Sequence, residues 1–330
     1  MGEAMIFASL VGHQRAKEML SRALARATVH TGYLFTGPAG VGKHLAAAEF
    51  VRAWLCSASG SQPCGVCPSC RLSGGTAHPD LLLVSLEEKK KSIGIEPVRE
   101  LGEWIAQTPA LGRHKAAIID PAGSLTLPAA NALLKTLEEP PRGSVIVLVA
   151  TRPGALPPTV RSRCQQVSFG ALSDDEVAEV LRRKSWPAMS ARQAAALAEG
   201  SPGTALERDG RLWQETAESV RALFDTLASG QRGAAFAFAE AAGEPRERAL
   251  SSLQAIIGFS RLATRQRLGA DGVGPDAVPV LLKRMGSEQL GRLLAGALET
   301  HRRLEGDRPP NAKLALAMLL AGVSGAGARQ

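Results

Sequence analysis

Aromatic side chains make up only 4% of the chain, too few for a single-strand nucleic-acid platform built from stacked rings. Long hydrophobic runs are missing too: none reaches the about eighteen apolar residues that a membrane-spanning helix needs. The opening Met1-Gly2-Glu3-Ala4 lacks the basic-then-apolar order of a signal peptide, and Ile6 occupies the position where a myristoylation motif has Ser or Thr. A soluble, cytoplasmic protein with no membrane association is expected. Against these absences stand 45% hydrophobic residues in a chain of 330, enough for roughly two to three domains, of which three are expected. The net charge of +8 fits contact with nucleic acid or with an acidic protein, and any DNA contact should be to phosphates.

The chain is organised around Gly37-Pro38-Ala39-Gly40-Val41-Gly42-Lys43-His44. It follows the apolar run Tyr33-Leu34-Phe35 and opens an alanine-rich helical segment, so it reads as strand, phosphate loop, helix. Gly37, Gly40 and Gly42 let backbone N–H groups turn inward around a phosphate, the helix N-terminus adds a positive dipole end, and Lys43 reaches the terminal phosphates. The position after the lysine ordinarily carries a Ser or Thr hydroxyl that holds Mg²⁺; here it is His44. Lys115 to Asp120 reads as a buried strand ending in an acid, the Walker B pattern, but Pro121 follows where a hydrolytic site usually has a glutamate. Further strands are expected at Leu81 to Val84, also buried, at Val145 to Ala150, and around Val167. Strands alternate with helices at 15–27, 45–55, 96–107 and 128–139, which predicts a mainly parallel sheet covered on both faces, with its ligand edge at the strand C-termini.

Cys56, Cys64, Cys67 and Cys70 place four of the five cysteines within fifteen residues. Disulfides would need an oxidising compartment, for which no targeting signal is seen; the C-x₂-C-x₂-C spacing suits tetrahedral thiolate coordination of Zn²⁺, and this reading is preferred. Four protein ligands close the shell, so the metal would be structural, stapling a loop-rich insertion. From Ser173 onward the pattern turns helical, opening on the capping box Ser173-Asp174-Asp175-Glu176. Helices are expected at 174–184 and 191–199, then, after Gly200-Ser201-Pro202-Gly203, at 212–227, 233–242, 245–264, 277–285, 288–304 and 311–321. The glycine-rich end from Gly322 to Gln330 is expected to be disordered.

The phosphate loop, the cysteine insertion directly after its helix, the stretch Ala129 to Pro141 and the triplet Ser162-Arg163-Cys164 together resemble the bacterial sliding-clamp loader, a branch of the AAA+ ATPases. His78-Pro79-Asp80-Leu81 and the altered nucleotide motifs resemble its delta-prime branch, part of the DNA polymerase III holoenzyme. The resemblance is dense over about residues 7–206 and returns at Pro310 to Leu316. It implies an α/β fold: an AAA+ P-loop core with a parallel sheet over 1–170, a zinc-binding insertion at about 56–70, a small helical lid over 171–208 and an all-α collar over 209–321. It further implies a hetero-oligomeric ring with gamma/tau motor subunits and a delta subunit, meeting the sliding clamp and primer-template DNA through the assembly.

In that family ATP sites lie between neighbours, and the arginine of the triplet, here Arg163, reaches the neighbour's phosphates. Its other reading is an internal ion pair with Asp or Glu. The departures at His44 and Pro121, and the lack of arginine in Gly200 to Thr204, remove three parts of a hydrolytic site. Lys43, Asp120 and Thr151, the last at the family's sensor threonine, remain, so ATP can be held weakly or not at all, without efficient turnover. The expected function is thus a largely non-hydrolysing delta-prime-like ring member, enzymatic only as part of the polymerase holoenzyme. The alternatives are a gamma/tau-type ATPase motor and a zinc module binding DNA alone; the latter lacks a basic helix, with only Arg71 near the cysteines.

Overall fold

A computed structural model describes residues 6–58, 62–72, 78–87, 90–186, 191, 194, 195, 198, 200–206, 210–231, 233–269, 278–306 and 309–324. The chain divides into two compact units, residues 1–172 and 173–330.

The first unit holds strands β1 (Gly32–Thr36), β2 (Leu81–Val84), β3 (Lys115–Ile119), β4 (Ser144–Ala150) and β5 (Gln165–Ser168) in one sheet of order β2-β3-β4-β1-β5. Every pairing is parallel. Successive side chains of a strand point to opposite faces, so a sheet covered on both sides needs apolar residues at every position. β1, β3 and β4 are buried throughout and apolar except at strand ends, where Thr36, Lys115 and Ser144 stand; Lys115 donates to the Trp104 carbonyl at 2.6 Å and Ser144 to the Pro141 carbonyl at 2.6 Å. Tyr33, Phe35, Val145, Val147 and Val149 pack with α1 (Gln14–Ala25) and α2 (Lys43–Leu55) on one face. Leu34, Ile146 and Leu148 pack with α4 (Ile95–Ile105) and α5 (Leu127–Glu138) on the other.

Leu81 to Val84 does not form the buried strand that its apolar run predicts. β2 is the sheet edge, paired only with β3, and Leu83 is 45% exposed. An apolar run does not distinguish an edge strand from a central one. Two short helices also escape the sequence pattern: α3 (Pro68–Leu72) and α6 (Pro158–Arg161), both opened by proline, which suits the first helical position because its missing N–H has no partner there anyway.

In the second unit α7 (Asp174–Arg183) starts with the expected capping box: the Ser173 hydroxyl accepts from the Glu176 amide at 3.3 Å and the Glu176 carboxylate accepts from the Ser173 amide at 2.8 Å. Gly200-Ser201-Pro202-Gly203, expected as a break, leads instead into a short helix, α8 (Pro202–Leu206). Of the helix expected at 191–199, only 191, 194, 195 and 198 lie within the described residues. Helices α9 (Gly210–Ala228), α10 (Ala234–Ala242), α11 (Arg246–Arg267), α12 (Val280–Arg284), α13 (Ser287–Glu305) and α14 (Ala312–Ser324) follow, and no strand occurs after Ser168 among the described residues. Gly322 belongs to α14 rather than to a disordered tail; residues 325–330 lie outside those described. No described helix is long and apolar enough to cross a membrane.

Phe50 of α2 is fully buried, with its ring 4.9 Å from that of Tyr33. Phe50→Ala is expected to lower the unfolding free energy by about 3–5 kcal/mol in urea titration. A loss below about 1 kcal/mol would mean that this face of the sheet is not close-packed.

Candidate functional site

The sheet order sets β3, β4 and β1 side by side, so their C-terminal ends converge. Those ends carry Asp120, Thr151 and the phosphate loop. The loop leaves β1 at Gly37, whose φ is +151°; a Cβ there would stand 2.1 Å from the Phe169 carbonyl oxygen, so the close approach of the segment after β5 requires glycine. Gly40 and Gly42 also have positive φ, at +70° and +103°. His13, just before α1, bonds its Nε2 to the Val41 carbonyl at 2.8 Å and sets its ring edge-on to Phe169 at 5.0 Å. It holds the loop from outside. Only its proximity to the start of α1 was visible in the sequence.

Lys43 is 6% exposed, and its ammonium donates to the carbonyls of Gly37 at 2.8 Å and Pro38 at 2.5 Å. Burial lowers its pKa, against the pull of Asp120. The lysine thus folds back into the loop rather than standing solvated. Its neighbour His44 bonds Nδ1 to Asp120 Oδ2 at 2.8 Å. That hydrogen bond raises the His44 pKa, with burial opposing it. In phosphate-loop ATPases the loop hydroxyl and the Walker B acid share a Mg²⁺ ion. Here the residues at those two positions bond directly to each other. Thr151 is exposed and follows Ala150, the register partner of Thr36, at the same edge.

Arg163 stands elsewhere. It precedes β5, whose Gln165 pairs with Tyr33, so it lies at the N-terminal edge of the sheet. Five residues of β1 at about 3.3 Å each separate that edge from the phosphate loop by roughly 16 Å. The Arg163 guanidinium meets Glu138 at 2.5 Å and donates to the Thr159 carbonyl at 3.0 Å and the Ser162 hydroxyl oxygen at 3.4 Å. The internal ion pair that the sequence left open therefore exists, with Glu138. Cys164 is buried within the core cluster that includes Leu137, and burial pushes its thiol up to about 11.

Between α2 and β2 the sulfurs of Cys56, Cys64, Cys67 and Cys70 all lie within 4.8 Å of one another, and no disulfide joins them. The pairs Cys56–Cys67 and Cys64–Cys70 are 4.0 Å apart. Tetrahedral coordination at about 2.3 Å per metal–sulfur bond needs sulfurs about 3.8 Å apart, so the arrangement can hold a metal ion. Backbone N–H groups of Cys64, Cys67 and Cys70 point at the sulfurs of Cys56, Cys64 and Cys67, at 3.3–3.4 Å, as thiolates require. Burial opposes ionisation of Cys67, yet the amides of Cys70 and Ser57 bring its thiol down to about 6; burial pushes Cys70 up to about 12.

The insertion is tied to the core by residues whose role the sequence did not disclose. The Ser69 hydroxyl donates to the Leu55 carbonyl at 2.7 Å and is 2.8 Å from His78 Nε2. His78 Nδ1 accepts from the Asp80 amide at 3.0 Å, which makes Nε2 the protonated nitrogen, and burial lowers the ring's pKa. Asp80 in turn accepts from the amides of Ala110 at 2.6 Å and Leu111 at 2.8 Å.

Residues 12–173 match the family model described as DNA polymerase III, delta subunit. The chain is 38% identical over 186 residues to the DNA polymerase III subunit delta′ of Pseudomonas aeruginosa, covering 54% of this chain and 56% of that protein. It is 36% identical over 172 residues to subunit tau of Escherichia coli, covering 52% of this chain and 26% of that protein. The chain thus spans little more than half the length of the first of these relatives and about a quarter of the second. A gamma subunit-related protein of Thermotoga maritima shares the fold, with a TM-score of 0.50 and 18% identity over 94% of this chain and 98% of that one.

The His44 imidazole is expected to titrate above its ordinary value of about 6.5 in an NMR pH series, and Asp120→Asn should return it towards that value. A raised folded pKa contributes stability that is present in full below the unfolded value and lost as pH rises through the folded one. The thermal midpoints of wild type and Asp120→Asn should therefore differ most below about pH 6.5 and converge as pH rises. A His44 titration at or below the ordinary value would contradict the pair.

Proposed function

We propose, from the match of residues 12–173 to the family model described as DNA polymerase III, delta subunit, that the protein is a delta-prime-like subunit of a sliding-clamp loader. In this reading it is a largely non-hydrolysing ring member that completes a neighbour's ATP site. The observation that carries the first half is the 2.8 Å bond between His44 and Asp120. Hydrolysis needs a divalent cation on the transferred phosphoryl group and a residue that orients the attacking water. His44 supplies no hydroxyl ligand, Asp120 is already engaged, and Pro121 follows it. A gamma/tau-type motor, the alternative, would have to break that bond to admit Mg²⁺.

The second half rests on Arg163. Its place at the sheet edge opposite its own phosphate loop suits action in trans and not in cis. A planar cation at the transferred phosphoryl group stabilises the charge that develops there. Glycines 37, 40 and 42, with Lys43, His44, Asp120 and Thr151, are the residues that would contact a nucleotide held weakly without turnover.

Cys56, Cys64, Cys67 and Cys70 are assigned to one structural Zn²⁺, because four thiolates in a closed shell leave no open position for catalysis. Residues 1–170 form the AAA+ core, 171–208 the lid and 209–321 the collar through which the ring assembles. The partners are the gamma/tau and delta subunits, and through them the clamp and primer-template DNA in the cytoplasm.

In a ring reconstituted from the full subunits, Arg163→Ala should leave this chain folded and depress hydrolysis at the adjoining site by on the order of 10³-fold or more. Unchanged ATP turnover would sink the trans role. Metal analysis of the purified chain should find one zinc, lost in Cys67→Ser together with a lower thermal midpoint. A metal-free wild type with an unchanged midpoint in chelator would refute the zinc assignment.

A further inference from the structure

Glu138 is the last residue of α5, where the helix presents its unsatisfied carbonyls and the negative end of its dipole. A carboxylate at that position works against the helix. It is also half exposed, at 49%, and its partner Arg163 is 37% exposed, so the ion pair is of the kind that adds little to stability. Neither helix propensity nor fold stability accounts for it.

The neighbours of both residues are nevertheless closely packed. Leu137, the residue before Glu138, and Cys164, the residue after Arg163, both pack against Gly32 at the start of β1. A Cβ on Gly32 would come within 2.9 Å of the Leu137 side chain, 3.1 Å of the Cys164 sulfur and 3.1 Å of the Arg163 carbonyl. The two charged residues are thus each one residue along the chain from a neighbour that packs at the same glycine. The guanidinium is fixed at three points: Glu138 on Nη2, and the Thr159 carbonyl and Ser162 hydroxyl on Nη1. Among the described residues no partner meets its Nε–H, and Nη2 keeps a second hydrogen, so the fork retains donors for an incoming phosphate.

We infer that Glu138 is the positioning residue for Arg163, holding the guanidinium in a preset orientation so that docking beside a neighbour's nucleotide needs no search among rotamers. The inference rests on the trans role proposed for Arg163. Preset charge is what makes such groups effective, because the reorganisation is completed before the reaction begins. A latch that had to open before Arg163 could act would have the opposite sign in the same experiment.

The test is Mg²⁺-ATP hydrolysis by the ring reconstituted with full-length wild-type, Arg163→Ala, Glu138→Ala or Glu138→Gln subunit, with assembly followed by gel filtration. Glu138→Ala should assemble normally and lower kcat at the adjoining site on the order of tenfold to a hundredfold, with KM within about twofold of wild type. Glu138→Gln keeps an acceptor oxygen in the same place and should recover part of that loss, which a defect in folding or assembly would not. If Arg163→Ala lowers turnover while Glu138→Ala leaves it unchanged or raises it, the positioning role is overturned and the trans arginine stands. If Arg163→Ala changes nothing, both are overturned.

Discussion

The hydrogen-bonded place of β1 between β4 and β5 determines where both pieces of chemistry can stand, because the strand has a different task at each end. Its C-terminal end releases the chain into the phosphate loop, beside the ends of β3 and β4. Its N-terminal end begins at Gly32, whose missing side chain leaves room for Leu137, Cys164 and the Arg163 backbone. A phosphate-loop end and an arginine-bearing end on opposite edges of one parallel sheet, roughly 16 Å apart, do not face one another. In the proposed ring they would serve two nucleotides, each lying between neighbours.

The phosphate-loop end is built but altered. The three glycines keep the left-handed and close-approach conformations that the loop requires, and Lys43 remains inside it. His44 is the informative change. By bonding Asp120 it supplies, from within the chain, a partner for the carboxylate that a divalent cation would otherwise meet. Within the chain itself Lys43 bonds the Gly37 and Pro38 carbonyls and His44 bonds Asp120, so both side chains have partners without nucleotide.

Much of this was legible in the sequence, and the misses have physical causes. The phosphate loop, β1, β3, β4, the proximity of the four cysteines and the capping box of α7 are encoded by local spacing and composition. The edge position of β2 does not, because a run of leucines reads alike at the edge and the centre of a sheet. Glu138 was visible only as one of two acids before two prolines; its partner lies twenty-five positions away and is reached through packing on Gly32. His13, Ser69 and Asp80 likewise act through hydrogen bonds to residues fourteen to thirty-one positions away, and His78 through bonds to Ser69 and Asp80, none of which periodicity encodes. Pro202 opens α8 from the first helical position, where its missing N–H costs nothing, so the proline read as a break is a helix start; α14 continues through Gly322, a residue that weakens a helix without ending it.

The central claim is that this chain keeps the architecture of a nucleotide site without its turnover. Single-turnover hydrolysis of ATP by the purified chain alone, with Mg²⁺ and with Lys43→Ala as control, tests it most directly. The account predicts no hydrolysis above that of the variant, whether or not nucleotide binds. Turnover by the wild type that Lys43→Ala abolishes would make the chain a motor subunit and contradict the reading of His44 and Pro121.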